Sequence, residues 1–442
     1  MPAQFDLLIR GGTCVLPWGM EQTSVGVRAG RIDALGVAAE ATADETIDAH
    51  GLYVLPGLID PHVHFRDPGA PAVETIPTGT KAAVLGGLAA VFDMPNTAPP
   101  ITDAERLAWK QEYVEGGKAW CDMGLYVGGT KSNIPALASL ELGRGVCAIK
   151  IFAGSSTGDL LVEDDEHLEM VMQRGRRRIA YHSEDEYRLQ ARRALFKAGD
   201  PCISHMHWRD EETAFLGTRR IIALARKTGR PAHILHVSTA EEFLFVRDCR
   251  DVATCEVLVN HLTQVAPEAY EKLRGYAVMN PPIRDARHHE AAWAAVRDGT
   301  VDTIGSDHAP HPRAAKERAW PDTAAGLTGV QTLVPVMLDH VNAGRLTLPR
   351  LVDLMCAGPA RVYGLVGKGR LAAGYDADFT LVDMQRERRI EESWIVSPCG
   401  WTPFAGVQVR GWPVATIVRG IPVMREDEVL GEPQGRLVNF AR

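Results

Sequence analysis

The stretch AAVFDMPNTAPPITDAERLAWKQEYVE, residues 89–115, decides the fold. It opens on a short apolar run, Ala89–Asp93, and closes on a helix-like segment, Asp103–Glu115. An apolar run of strand length followed by an amphipathic helix is the repeat unit of a parallel sheet whose strands are covered on both faces. The unit recurs through the middle of the chain. The candidate strands are Tyr53–Asp60, Ala89–Asp93, Met123–Val127, Val146–Phe152, Arg178–His182, Ala232–His236, Thr254–Val259 and Val301–Ser306. Helix-like segments lie between most of them, among them Glu211–Thr228 and Glu290–Arg297. This series predicts an α/β fold, a (β/α)8 TIM barrel, in which functional groups stand at the C-terminal ends of the strands. A doubly wound open sheet is the rival, but no G-x-G-x-x-G follows the first strand.

Working outward, both ends of the chain are rich in β pattern. Phe5–Gly12 and Val25–Ile32 near one end, and Ala377–Val382 and Thr416–Val423 near the other, read as strands with glycine-containing reversals. The economical organisation is a small β-sandwich domain built from both termini, residues 1–52 and 366–442, flanking a barrel over 53–365.

Composition bounds the function. Of 442 residues, 45% are hydrophobic and 24% charged, which excludes a disordered chain. A net charge of −8 argues against a nucleic-acid or anionic-membrane partner, either of which needs a basic surface. The opening MPAQFDLLIRGG lacks a basic segment followed by an apolar stretch, so no export is expected, and no window approaches the roughly 18 apolar residues of a membrane span. The 8 cysteines are scattered without a C-x-x-C pair, which reads as free thiols in the cytoplasm.

The chemistry sits at the predicted strand ends. The first candidate strand runs into Asp60-Pro61-His62-Val63-His64-Phe65-Arg66, the fourth carries Lys150, the fifth ends at His182, the sixth at His236, and Asp307 follows the eighth. Residues two apart on a strand share a face, so His62 and His64 can approach one ion together. Four imidazoles and a carboxylate suit a borderline-soft divalent ion such as zinc. A lone H-x-H, or His182 or His236 alone, would mean little. The agreement between strand pattern and ligand positions is what carries weight.

With Pro56–Arg66, Met94-Pro95-Asn96-Thr97, Lys150, His182-Ser183-Glu184-Asp185, His236-Val237-Ser238-Thr239 and Gly305–His311 in this order, the chain resembles the amidohydrolase superfamily over essentially its whole length. Within it the pattern is similar to the larger, hydantoinase-like dihydroorotases. The resemblance implies a TIM barrel with a terminal β-sandwich and a centre of two zinc ions. His62, His64 and Asp307 would hold one ion and His182 and His236 the other, with a carboxylated Lys150 bridging them. A carbamate explains the lysine physically, since an ammonium (ordinary pKa about 10.4) is repelled by dications and is no ligand. A hydroxide shared by the ions would attack the ring amide, and Asp307 would serve as general base and then acid. The implied activity is the reversible interconversion of L-dihydroorotate and N-carbamoyl-L-aspartate in de novo pyrimidine biosynthesis.

Arg66 discriminates among ring substrates. Two residues beyond His64, it can grip a carboxylate through parallel N–H bonds. By resemblance, Asn96 and His311 complete that grip, and Asn280 hydrogen-bonds the ring. Gly326-Leu327-Thr328-Gly329 is a candidate source of backbone contacts to it. Allantoinase, hydantoinase or dihydropyrimidinase is the alternative reading, because their rings lack the carboxylate. A non-catalytic homologue is argued against by the complete ligand set. The expected partners are a small-molecule substrate and further copies of the chain, as a homodimer or higher homo-oligomer.

Other features take plainer readings. His205 and His207 do not fit a strand end, His288-His289 opens a helix and is expected to face solvent, and Arg174 with Arg176–Arg178 reads as a solvated basic edge. Asn260-His261-Leu262 departs from the paired His-His-Leu that the family pattern leads one to expect.

Overall fold

The computed structural model describes residues 4–155 and 160–441. Eight parallel strands pair in chain order: β1 Leu58–Val63, β2 Leu88–Asp93, β3 Asp122–Gly128, β4 Val146–Phe152, β5 Ile179–His182, β6 Ala232–Ile234, β7 Ala253–Leu258 and β8 Thr303–Gly305. The circle is nearly closed where the segments after β1 and β8 meet, with Val63 paired to His308 and His64 N–H donating to the His308 carbonyl at 2.7 Å. Nearly every strand residue is buried, as expected of a sheet with side chains on one face and helices on the other.

Strand alternation sorts the residues. Ile149 and Ile151 of β4, Ile179 and Tyr181 of β5, and Cys255 and Val257 of β7 face outward into the core under the helices. The opposite face therefore receives Lys150, His182 and Glu256. In β1 the pattern is shifted by a bulge: Asp60 pairs with Val91 but Val63 with Asp93, one extra residue on β1. That residue turns Val63 into the outer core and leaves His62 and His64 facing the barrel mouth.

Several of the longer helices start where a capping residue stands. Asp103 caps Ala104–Glu115 by accepting the Arg106 N–H, Asp210 caps Glu211–Thr228, and Asp285 caps Ala286–Asp298. The last begins four residues before the expected Glu290, which overturns the solvent-facing reading of His288-His289. His288 is buried with its Nδ1 accepting the Ala240 N–H at 3.0 Å, and His289 Nε2 sits 2.9 Å from the Leu262 carbonyl. The basic edge is also corrected in part: Arg177 donates to the Glu141 and Val146 carbonyls, and Arg178 to that of Ala232, while Arg174 and Arg176 stay exposed.

A second, largely antiparallel sheet of nine strands takes Phe5–Leu16, Gly19–Arg28, Arg31–Leu35, Ala43–Asp48 and Tyr53–Pro56 from one end of the chain. Phe379–Arg389, Gln408–Val418, Ile421–Arg425 and Glu428–Val429 come from the other. Ile32 and Ile417, far apart in strand order, share one apolar core with Leu7, Val25 and Phe379, so the sheet curls over it. Tyr53–Pro56 belongs here, pairing with Phe379–Val382, and is not the start of the first barrel strand. The break falls at Gly57, whose N–H donates to the Asp378 carbonyl at 2.8 Å. A Cβ there would lie 2.6 Å from both Ala89 and Asp378, so no side chain fits.

Lys368 ties the two sheets. Its ammonium is buried 2.6 Å from Asp122 at the start of β3, 2.5 Å from Asp378 and 3.1 Å from Asp376. Lys368→Met leaves two buried carboxylates short of a cation, and a loss of about 3–5 kcal/mol is expected, read as a lowered urea midpoint. Among the described residues no helix is long and apolar enough to cross a membrane, and the eight cysteines are free thiols.

Candidate active site

Three donor atoms converge at the barrel mouth. His62 Nε2 and His64 Nε2 are 3.2 Å apart, and Asp307 Oδ1 lies 3.2 Å from the first and 3.0 Å from the second. The far nitrogen of each imidazole is occupied. His62 Nδ1 is 2.7 Å from Glu256 Oε1 on β7, and His64 Nδ1 is 2.6 Å from Asn96 Oδ1 beyond β2. With both Nδ1 atoms donating, both Nε2 lone pairs and a carboxylate oxygen face one another. A shared cation satisfies such a set of acceptors, and this donor chemistry fits a divalent metal ion. The same three residues form the group of His, Cys and acidic side chains that could hold an ion among the described residues.

His182 and His236 continue the cluster. Their rings are 4.7 Å apart with His182 Nδ1 3.0 Å from His236 Nε2, and the His236 ring lies 5.5 Å from that of His62. His236 Nδ1 is buried without a hydrogen-bond partner among the described residues. Lys150 is buried beside them, its Nζ 4.6 Å from the Phe152 ring centroid. Burial pushes its pKa down to about 7, against the pull of Asp307 and Glu256. The neutral amine, the form that reacts with carbon dioxide, is thereby favoured. All six residues expected to bind metal thus stand at one end of the barrel, within a single buried cluster.

Two of them sit on strained backbone. His236, two residues past β6, has φ of 40°, and Asp307, two past β8, has φ of 48°. A side chain other than glycine in the left-handed region costs of order 1–3 kcal/mol, and such cost persists where surrounding contacts over-determine the geometry. Here it falls just beyond two short strands, at residues whose side chains join the cluster at the barrel mouth.

A cleft next to this cluster is lined by His64, Arg66, Asn96, Asn280, Asp307, Ala309, Ala325 and Gly326. Arg66 is buried and donates to the Pro310 carbonyl at 3.1–3.3 Å, with His311 Nε2 3.5 Å away. Among the described residues no carboxylate lies within ion-pair distance of it. The Gly326–Gly329 segment also borders the site, with Leu327 paired to His308 and Gly326 in the cleft wall.

Residues 53–423 match the model of the amidohydrolase family. The chain belongs to the amidohydrolase family. It is therefore a hydrolase, as the ordered motifs imply. It is 36% identical to a dihydroorotase from Pyrococcus furiosus, over 94% of this chain and 92% of that one. It is 35% identical to an allantoinase from Rubrobacter xylanophilus, over 99% and 98%. Among solved structures, an L-hydantoinase (dihydropyrimidinase) from Arthrobacter aurescens superposes with a TM-score of 0.93 at 28% identity, covering 98% of this chain and 100% of that one. The barrel with its separate sheet is thus the architecture of this amidohydrolase family member and of its structural relatives.

Sequence reasoning missed several residues that support the site. Glu256 is fully buried, accepting from the His236 N–H at 3.3 Å as well as facing His62. Its signal was available: one carboxylate inside the apolar run Thr254–Val259 must have a buried partner. Glu184 lies 2.8 Å from His182 Nε2 and is paired with buried Arg209 at 2.6 Å. Lys316 holds the cleft wall, its ammonium donating to the Val278, Ala324 and Gly326 carbonyls at 2.6–2.9 Å. His205, set aside because it meets no strand end, is buried on the helix Ser204–Trp208 with Nε2 2.8 Å from Asn280 Oδ1, whereas His207 is exposed. His261, in the Asn260-His261-Leu262 departure, is buried against the Pro281 carbonyl at 3.2 Å.

Because Glu256 fixes the His62 ring, Glu256→Ala is expected to weaken metal binding about 10–100-fold. Chelator competition monitored by metal analysis measures this, and an unchanged affinity would remove Glu256 from the support of the site.

Proposed function

We propose that the chain is a hydrolase of cyclic amides and, within that class, a dihydroorotase that interconverts L-dihydroorotate and N-carbamoyl-L-aspartate for pyrimidine synthesis. The observation that carries the reading is Arg66: a buried guanidinium in the cleft wall, with no carboxylate within ion-pair distance among the described residues, asks for an anionic ligand. Asn96 and Asn280 line the same cleft and His311 Nε2 lies 3.5 Å from Arg66; in this reading Asn96 and His311 share that carboxylate and Asn280 meets the ring.

His62, His64 and Asp307 would hold one zinc ion and His182 and His236 a second, with carboxylated Lys150 between them. Ions bound there would lower the pKa of water to roughly 7 and polarise the ring carbonyl. The chain's own residues do the remainder. Arg66 anchors the carboxylate and so fixes the scissile amide over the histidine cluster. Asp307 accepts the proton of the attacking water and returns it to the departing ring nitrogen. Glu256 and Asn96 hold the His62 and His64 rings in the tautomer that leaves Nε2 free.

Allantoin is the second candidate, supported by an allantoinase relative of nearly equal identity. The test supplies zinc-loaded protein separately with dihydroorotate, allantoin, hydantoin and dihydrouracil, and follows ring opening by absorbance. Turnover of dihydroorotate well above the rest is expected. Turnover of allantoin or hydantoin with none of dihydroorotate overturns the substrate.

A further inference from the structure

Trp320, His205 and Asn280 form a hydrogen-bonded line that runs through the buried core and ends at the cleft. The buried Trp320 indole Nε1 points at His205 Nδ1 at 3.3 Å. On the other side of that imidazole, Nε2 lies 2.8 Å from Asn280 Oδ1 and 3.2 Å from the Met279 carbonyl. The first member orders the line. An indole N–H can only donate, so His205 Nδ1 accepts, and a neutral imidazole then carries its proton on Nε2. The Met279 carbonyl, an acceptor only, demands the same proton. Burial, with Arg209 nearby, pushes the His205 pKa down to about 3 against the pull of Asn280, Glu184 and Met279, so the ring is neutral. The Asn280 atom that meets Nε2–H must therefore be the carbonyl oxygen. Lys316 fastens the same segment through the Val278 carbonyl and the facing wall through that of Gly326.

We propose that Trp320 and His205 are positioning residues that lock the Asn280 amide with its oxygen turned inward and its NH2 offered to the cleft. The substrate group read at this point is then a hydrogen-bond acceptor, a ring carbonyl oxygen, and not a ring N–H. The inference rests on the reading of the cleft as the ring-binding site. A cyclic amide presents both kinds of group, and an asparagine free to flip would accept either edge. A locked amide accepts one, because the wrong edge sets donor against donor and leaves both unpaired.

Two measurements on the full chain test this. In protein labelled with 15N-histidine, long-range proton–nitrogen correlation, assigned by comparison with His205→Gln, reads the His205 tautomer. A neutral Nε2–H ring is expected from about pH 6 to about pH 8, with Trp320→Phe admitting the other tautomer. An Nδ1–H or a charged ring in the parent protein overturns the proposal. Kinetically, His205→Leu is expected to raise KM for dihydroorotate about five- to tenfold, the size of one hydrogen bond, with a smaller change in kcat. His205→Gln, whose amide N–H can still reach Asn280 Oδ1, restores most of it. Equal KM in the two variants, or no change in either, overturns the proposal, and Trp320→Phe carries the kinetic test should His205→Leu not fold. If the parent protein opens no ring at all, the proposed function falls, while the tautomer still decides the amide's orientation.

Discussion

Asp307→Asn is expected to lower kcat for ring opening by roughly 10²–10⁴-fold, the usual contribution of a positioned proton carrier. Asparagine keeps the shape and one oxygen near His62 and His64 but cannot take up a proton. Asp307 Oδ1 lies 3.0–3.2 Å from both Nε2 atoms, so the substitution also removes the negative charge from the three-donor group. Zinc content measured alongside kcat separates the two effects: a variant that retains metal yet fails to turn over assigns the loss to proton transfer. Retention of more than about a tenth of parental kcat would exclude Asp307 from that role. Thermal melting serves as the control for folding, and because φ at Asp307 is 48°, a residue tolerant of the left-handed region is the right replacement.

Arg66→Met is expected to cost dihydroorotate on the order of 10²–10⁴-fold in kcat/KM, the worth of two charge-assisted hydrogen bonds. Methionine fills part of the buried volume without charge. A ring without a carboxylate, such as dihydrouracil, should be hydrolysed no worse than by the parent protein. Arg66→Lys should not rescue, since a point ammonium cannot supply the parallel pair of donors. An equal loss on both rings would make Arg66 a structural residue, and no loss on either would remove the carboxylate grip altogether.

Much of the barrel was legible because its signal is local. Continuous apolar runs alternating with capped helices reproduce β2, β3, β4 and β7 to within a residue at each end and the helix Glu211–Thr228 at both. The misread places are those where two elements far apart in sequence compete for one segment. Tyr53–Pro56 is as apolar as a barrel strand, but Phe379–Val382 captures it and Gly57 breaks the run. His288 looks like a polar residue near a helix start, yet Asp285 begins the helix early and turns that imidazole onto the Ala240 N–H.

The strand pattern, with period-two alternation, predicted by itself that His62, His64, Lys150, His182, His236 and Asp307 would stand on the C-terminal part of a barrel strand or just beyond it. Chain order fixes strand order in a parallel barrel, and strand order fixes which ends are neighbours. Only the tertiary structure decided how each group is held. The bulge in β1, the left-handed turns at His236 and Asp307, Glu256 behind His62, and Trp320 and His205 behind Asn280 all depend on contacts between residues many positions apart. Such contacts leave no periodic trace, because a buried partner needs only to arrive at the right place in space, from any point along the chain.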